Sequence, residues 1–341
     1  MKAIILREYG GRENFEMTEL PIPPIPKGQI RIKIKAVSFN PVDYQIRKGL
    51  PESRSVASNI LGRDLSGIVD EVDEDVKEFK KGDEVFCYVC SLASSGTYTE
   101  YICVPEALVA KKPDFLSHEQ TAAIPVAGIT AFLVLAKTRP DKFKSVFIAG
   151  GAGGVGTFVI LFAKQLGVKN IVTTAGNDKS LSYLVQNFQL KEEQIINYRD
   201  DNFIEKAIER NRGNFDIVID LVGGKMLAAC CDLLAIDGNL ISVVDAPRQN
   251  DFETLFQKNA SFHSIGANAY SLSDNQVYWK KYKLILNYIS ALFDTNVIFK
   301  PPITILGSLS VDTVKKAHEL LENNSVQGKL IMTCPGTVNG N

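Results

Sequence analysis

Hydrophobic and polar positions change rhythm twice along this chain. From Gln29 to Val37 (QIRIKIKAV) apolar and polar residues alternate, the period of a strand with one buried face. Leu65–Val72 and Asp83–Val89 are further strand candidates, and Pro21–Pro26 and Lys81–Asp83 mark extended connections or turns. The first third is therefore expected to be β-rich. After about Pro125, short apolar runs at Val146–Ile148, Asn170–Thr174, Phe215–Asp220 and Asn239–Val244 alternate with helical stretches. That rhythm predicts an α/β fold built on a parallel, doubly wound sheet. Near Ile265 it stops. A helix is expected over Tyr278–Phe293, a strand over Ile303–Leu306, a helix over Val311–Glu322 and a strand over Lys329–Thr333. Gly336–Asn341 reads as a frayed tail.

The run Ala149-Gly-Gly-Ala-Gly-Gly-Val-Gly156 changes this picture most. It joins the strand Ser145–Ile148 to the apolar helix Thr157–Leu166. Strand, glycine turn and helix is the setting in which such a run binds a dinucleotide. Gly151 is expected to allow the tight turn, Gly153 to let the backbone approach a pyrophosphate, and Gly156 to let helix and strand pack closely. With Gly154 and Val155 they form the helix N-terminus, where free N–H groups and the helix dipole favour phosphate.

Composition narrows the rest. At 341 residues the chain has room for two domains, and its formal net charge is −1 with no long Lys/Arg block. Nucleic acid and anionic membranes are not expected as partners. The six cysteines follow no disulfide-scaffold spacing and suit a reducing compartment. Met1–Leu6 is too short for a signal core, and no apolar stretch reaches membrane-span length. A cytoplasmic protein is the simplest expectation. Cys87-x-x-Cys90 is half of a zinc-ribbon spacing, but only Cys103 lies within twenty residues, and a structural zinc needs four ligands. These cysteines read as small buried apolar residues, and no metal is expected.

The second strand of the α/β region ends in Thr174-Ala-Gly-Asn177, with no carboxylate where NAD-preferring sites bind the ribose hydroxyls. A 2′-phosphate would meet no repulsion there, and Lys179, in the next helix's first turn, can pair with it. Asp178 reads as a helix-start residue favourable to the dipole. The expected cofactor is NADPH.

Further motifs carry a resemblance. They are Asn40-Pro-Val-Asp43 with Arg47 and Gly49, Leu61-Gly-Arg-Asp64 with Ser66-Gly67, Gly96–Tyr101, Ala122–Ala131, Asp216–Gly224 and Gly328-Lys-Leu-Ile331. In this order, across nearly the whole chain, they resemble the zinc-independent quinone oxidoreductase branch of the medium-chain dehydrogenase/reductase superfamily. The resemblance implies a GroES-like catalytic domain at 1–124 plus 266–341, a Rossmann domain inserted at 125–265, an active site in the cleft between them, and a homodimer formed through the Rossmann sheet edge. It also implies that Asn177 and Tyr198 assist Lys179 at the 2′-phosphate, and that Thr130 lies beside the nicotinamide. Where the zinc enzymes of the superfamily carry Cys and His ligands, this chain has Asn40–Asp43 and Gly62–Asp64, without thiolate or imidazole.

Within that frame Asn40 is a candidate donor to a substrate oxygen. Asp43 is read as orienting Arg47 or a backbone N–H, and Arg63 and Asp64 as pairing with each other. Tyr44 follows Asp43 directly, where family members often carry a Tyr two residues on; it is a candidate acid or a stacking wall. Val222 is expected to meet the nicotinamide through its backbone and Asn268 to reach the carboxamide. Lys329 either contacts cofactor phosphate or caps the sheet. Phe86, Tyr88 and Tyr270 are candidates for an aromatic wall or for core. Hydride transfer without a Lewis acid favours acceptors that are already electrophilic, so the expected activity is NADPH-dependent reduction of a quinone or an α,β-unsaturated carbonyl. The alternatives are an enoyl-thioester reductase and a non-catalytic NADPH-binding sensor.

Overall fold

A computed structural model describes residues 1–89, 95–141, 144–273, 275–295 and 300–334. Cys90 and the tail Gly336–Asn341 lie outside the described residues. The chain divides into two compact units: Thr130–Ala267, and Met1–Ile129 together with the chain from Asn268 onward. The first division falls inside the helix Pro125–Thr138, where the sequence rhythm places it at Pro125.

The inserted unit carries six parallel strands. Their order is Ile195–Asn197, Asn170–Ala175, Ser145–Ala149, Phe215–Asp220, Leu234–Ser242, Ser261–Ser264. Chain order is thus 3-2-1-4-5-6, the dinucleotide-binding arrangement with its switch point beside the first strand. All five residues of Ser145–Ala149 are buried, as both faces of a central parallel strand must be when helices cover them. The helix Gly154–Gln165 is buried from Gly156 to Ala163. Phe147 and Phe215 meet with ring centroids 5.3 Å apart, inside a core that also holds Leu227, Leu233 and Leu240. Two strands escape the hydrophobic pattern. Ile195–Asn197 has three residues, and Ser261–Ser264 is a half-exposed edge strand.

The other unit is built on a seven-stranded sheet. Its central strand, Gln29–Ser38, pairs antiparallel with Asp64–Val72 on one side. On the other side its first half pairs with Tyr101–Pro105 and its end with Lys329–Thr333. The expected alternation holds from Ile30 to Ala36 and then breaks, because Val37, Ser38, Phe39 and Asn40 are all buried under later parts of the chain. The C-terminal helix Val311–Glu322 and strand Lys329–Thr333 fold back onto the start of the chain. Phe15 lies edge-on to His318 at 4.9 Å, and Phe39 meets Tyr98 at 5.3 Å. Among the described residues no helix is long and apolar enough to cross a membrane.

Candidate functional site

The glycine turn of the inserted unit is shaped by contact with the neighbouring strand. Gly150 takes the left-handed conformation at φ +86° and donates its N–H to Thr174 Oγ1 at 3.0 Å. The conformational demand of the turn therefore falls on Gly150, not on Gly151 as expected. Gly151 is required for space: a Cβ there would lie 2.1 Å from Thr173 Oγ1. At Gly156 a Cβ would lie 2.4 Å from the Gly150 carbonyl and 2.6 Å from Gly151 Cα, both backbone atoms that cannot yield. Gly153 differs. Its Cβ would meet only the Gly150 carbonyl, at 3.3 Å, so it leaves the turn open on its outer side. Gly153 is the N-cap of a twelve-residue helix and supplies no side-chain cap, so Gly154, Val155 and Gly156 present the N–H groups of the first turn. This cradle fits a pyrophosphate: Gly153, Gly154 and Val155 are part-exposed, no side chain caps the helix start, and the helix dipole favours an anion there.

At the end of the second strand the geometry gathers three more of the expected cofactor residues. Asn177 caps the helix Asp178–Phe188, its Oδ1 accepting from Ser180 N at 2.9 Å and Ser180 Oγ at 3.1 Å. Lys179 sits in that helix's exposed first turn. The Tyr198 ring lies against Gly176, where a Cβ would come within 2.5 Å of it, and Arg199 stacks over the ring at 5.8 Å. Asn177, Lys179 and Tyr198 thus share one rim, at the C-terminal ends of two adjacent parallel strands.

The fourth strand ends in a buried Asp220 that sequence reasoning passed over. Its Oδ1 accepts from Val222 N at 3.0 Å and Gly223 N at 2.9 Å, and its Oδ2 from Ser242 Oγ at 3.0 Å. The Val222 N–H is therefore engaged within the protein, which leaves its carbonyl for any ligand. Its side chain abuts the Gly150 turn: a Cβ on Gly150 would be 3.1 Å from Val222 Cγ2. The signal for Asp220 is present in the sequence, a carboxylate closing an apolar strand three residues before Gly-Gly. Thr130 is buried on the helix Pro125–Thr138. Asn268 is exposed and belongs to the other unit, with its carbonyl accepting from Ser271.

In that other unit Asn40 joins a buried polar network. Its Nδ2 donates to Asp64 Oδ2 at 2.8 Å and its Oδ1 accepts from Lys329 Nζ at 2.6 Å. Lys329 also donates to the Phe39 carbonyl at 3.1 Å and to Asp64 Oδ2 at 3.2 Å. Asp64 further accepts from Ser38 Oγ at 2.6 Å and, through Oδ1, from Val126 N at 2.8 Å. Lys329 is 3% exposed. The geometry thus corrects both readings of Lys329: it neither reaches toward a phosphate nor merely caps the sheet, since all three of its N–H donors face this network. Asp64 is engaged by Lys329 rather than by Arg63, whose guanidinium is buried and donates to the Val89 carbonyl at 3.5 Å.

Asp43 Oδ2 accepts from Asn40 N at 2.8 Å, closing a capping box on the helix Pro41–Arg47, which is the backbone role expected of it. Arg47 pairs with Glu322. Burial raises the Asp43 carboxyl to about 7. Tyr44 is half-buried, with Lys48 Nζ 5.4 Å from its ring centre. Phe86 is core and Tyr88 packs on Tyr282 at 4.8 Å. Tyr270 stacks on Tyr278 at 6.4 Å under Lys281. Among the described residues no three His, Cys, Asp or Glu side chains gather where a metal could sit.

Family models match two stretches: an alcohol dehydrogenase GroES-like domain over residues 26–114, and a zinc-binding dehydrogenase over residues 190–332. The human quinone oxidoreductase is 33% identical over 247 residues, 71% of this chain and 73% of that protein. The chloroplastic NADPH-dependent alkenal/one oxidoreductase of Arabidopsis thaliana is 28% identical, over 97% of this chain and 79% of that one. The structure of the quinone oxidoreductase from Coxiella burnetii superposes with a TM-score of 0.82 at 31% identity, covering 98% of this chain and 99% of that one. A Rossmann sheet with a glycine cradle, in one chain with a β-rich GroES-like unit, defines a class. The chain belongs to the medium-chain dehydrogenase/reductase superfamily, in its quinone oxidoreductase branch.

Proposed function

We propose that the protein is an NADPH-dependent reductase that delivers hydride to a quinone or an α,β-unsaturated carbonyl without a metal ion. The observation that carries this reading is the rim of Asn177, Lys179 and Tyr198 beside a strand end that bears no carboxylate. NADPH, when bound, supplies the hydride. The cradle Gly151–Gly156 holds its pyrophosphate, Lys179 and Tyr198 its 2′-phosphate, and Thr130, the Val222 carbonyl and Asn268 orient its nicotinamide. Asn40 donates to the acceptor's carbonyl oxygen, where negative charge develops as hydride adds to the ring or the β-carbon. Tyr44 or solvent then supplies the balancing proton; a phenol is a serviceable donor though a poor base at neutral pH.

The test is the initial rate of NADPH oxidation, beside NADH, with an ortho-quinone and an alkenal in the presence of a chelator. Turnover with NADPH well above NADH supports the reading. Loss of activity on chelation removes the metal-free part of it, and equal use of both coenzymes removes the role of Lys179.

The same reading takes the protein as a cytoplasmic homodimer. Among the described residues the edge strand Ser261–Ser264 pairs on one side only, with Ile236, Phe252 and Phe256 exposed on neighbouring elements. The described cysteines are free thiols, which fits a reducing compartment. Light scattering on the purified protein tests the dimer: a monomer mass refutes it.

A further inference from the structure

The network around Lys329 can be counted donor by donor. An ammonium has three N–H donors and no acceptor. Those of Lys329 meet the Phe39 carbonyl, Asn40 Oδ1 and Asp64 Oδ2. Asp64 can only accept while ionised, and it takes Ser38 Oγ, Asn40 Nδ2, Lys329 and Val126 N. Asn40 lies between the two charges. Its amide orientation is thereby unambiguous: the oxygen must face the ammonium and the nitrogen the carboxylate. Nδ2 has two hydrogens, and one goes to Asp64. Its second hydrogen is the one polar hydrogen of the Lys329–Asn40–Asp64 group that no acceptor among the described residues takes up.

An isolated buried ion pair is a poor stabilising device, because desolvation offsets most of the attraction and an apolar pair of similar volume often serves as well. Here Lys329 is 3% exposed and Asp64 fully buried, in a strand whose following residues Leu330, Ile331 and Met332 are apolar and buried. The charge sits where folding alone would accept a hydrophobic residue. What it does uniquely is polarise one amide. A cation 2.6 Å from Oδ1 draws electron density through the amide plane and strengthens Nδ2–H as a donor, the cooperative effect of linked hydrogen bonds in a low-dielectric interior.

We infer that Lys329 is a positioning residue for the reduction: its ammonium holds and polarises the Asn40 amide, whose remaining N–H donates to the carbonyl oxygen of the hydride acceptor. This rests on the quinone and enone reductase reading above. Lys329 touches neither acceptor nor cofactor and acts through Asn40. The arrangement favours acceptors whose oxygen becomes anionic as hydride arrives, because a polarised neutral donor gains more from a developing oxyanion than from a ground-state carbonyl.

The experiment uses the full-length protein with both charges removed together, Lys329→Met with Asp64→Asn, so that neither is left buried alone. Melting temperature, NADPH affinity by fluorescence titration, and kcat and KM with an ortho-quinone are compared with wild type. The expected result is a folded protein with NADPH affinity within about twofold, because the cradle lies in the other unit, and kcat lowered about 100-fold, the scale of losing one oxyanion donor. Asn40→Leu in that background then adds little, since the two act as one. A double variant that keeps kcat within threefold makes the pair structural and overturns the inference. If the double variant fails to fold, Asn40→Leu alone decides, because it leaves Lys329 and Asp64 paired: wild-type kcat overturns the inference, and a loss of about 100-fold at unchanged NADPH affinity supports it. Absence of wild-type turnover on any quinone or alkenal overturns the underlying reading as well, whereas wild-type turnover retained by the variants overturns this inference alone.

Discussion

Asp64 Oδ1 accepts the backbone N–H of Val126 at 2.8 Å, so a carboxylate at the start of one sheet strand holds the first turn of the helix Pro125–Thr138. That helix begins in one unit and ends in the other. The same carboxylate carries the charge of Lys329 on its second oxygen. Asp64→Ala removes both supports and leaves an ammonium buried without its counter-ion, a loss of about 3–5 kcal/mol. Urea denaturation followed by far-UV circular dichroism should show a first transition at markedly lower denaturant. An unchanged midpoint would mean that the pair is not buried as described.

The glycines of the cradle separate by mechanism. Gly156→Ala forces a methyl into the Gly150–Gly151 backbone, a strain of about 1–3 kcal/mol, and should lower both stability and NADPH affinity. Gly153→Ala meets one carbonyl at 3.3 Å and should fold nearly as wild type while binding NADPH more weakly, because its methyl covers the open side of the turn. Thermal shifts recorded with and without NADPH distinguish the two. Equal melting temperatures for both apo variants would contradict this account.

Lys179→Ala should weaken NADPH binding about 10- to 100-fold, the range of a hydrogen bond to a charged group, and leave NADH nearly untouched. Tyr198→Phe should act in the same direction more mildly. Calorimetric titration with adenosine 2′,5′-bisphosphate against 5′-AMP isolates the effect from catalysis. Equal losses for both nucleotides would place Lys179 elsewhere.

Two buried groups give opposite pH signatures. Burial pushes the His318 imidazole down to about 3, from 6.5. The unfolded chain therefore takes up a proton that the folded one refuses, and stability falls as pH drops through that window, by up to about 1.4 kcal/mol per pH unit. Asp43 behaves in reverse. Burial raises its carboxyl from 3.8 to about 7, so its contribution is complete below 3.8 and is lost as pH rises toward 7. Between roughly 4 and 6.5 the two slopes oppose each other. Asp43→Asn keeps an oxygen for the Asn40 N–H and removes the carboxylate. Melts from pH 5 to 8 should find this variant more stable than wild type at pH 8 and lose that advantage at pH 5. A constant difference across the range would mean that Asp43 titrates normally in the fold.

The cradle was legible because its residues are consecutive and a strand and a helix of obvious periodicity flank them. Which glycine turns left-handed was not, since Thr173 and Thr174 on the next strand decide it. The strands Ile195–Asn197 and Ser261–Ser264 were missed because three residues, or four half-exposed ones, carry no period. Lys329 was misplaced for a different reason. Its partners lie 265 and 289 residues away, and no local pattern marks a lysine as buried. Phe86, a candidate for the site wall or for core, is fully buried core.

The return of Lys329 to Asp64 also sets an order of assembly. A ribosome delivers Asn40 and Asp64 early, then the whole of Thr130–Ala267, and Lys329 only after a further stretch of chain. At about 5–20 residues per second, the 265 residues between Asp64 and Lys329 take on the order of 10 to 50 seconds to synthesise. Throughout that interval the emerging Asp64 carboxylate lacks the Lys329 ammonium, whereas the inserted unit owns every strand of its sheet once Ser264 has been made. The unit that is begun first is finished last, and the dinucleotide-binding sheet can close while its companion still waits for one lysine.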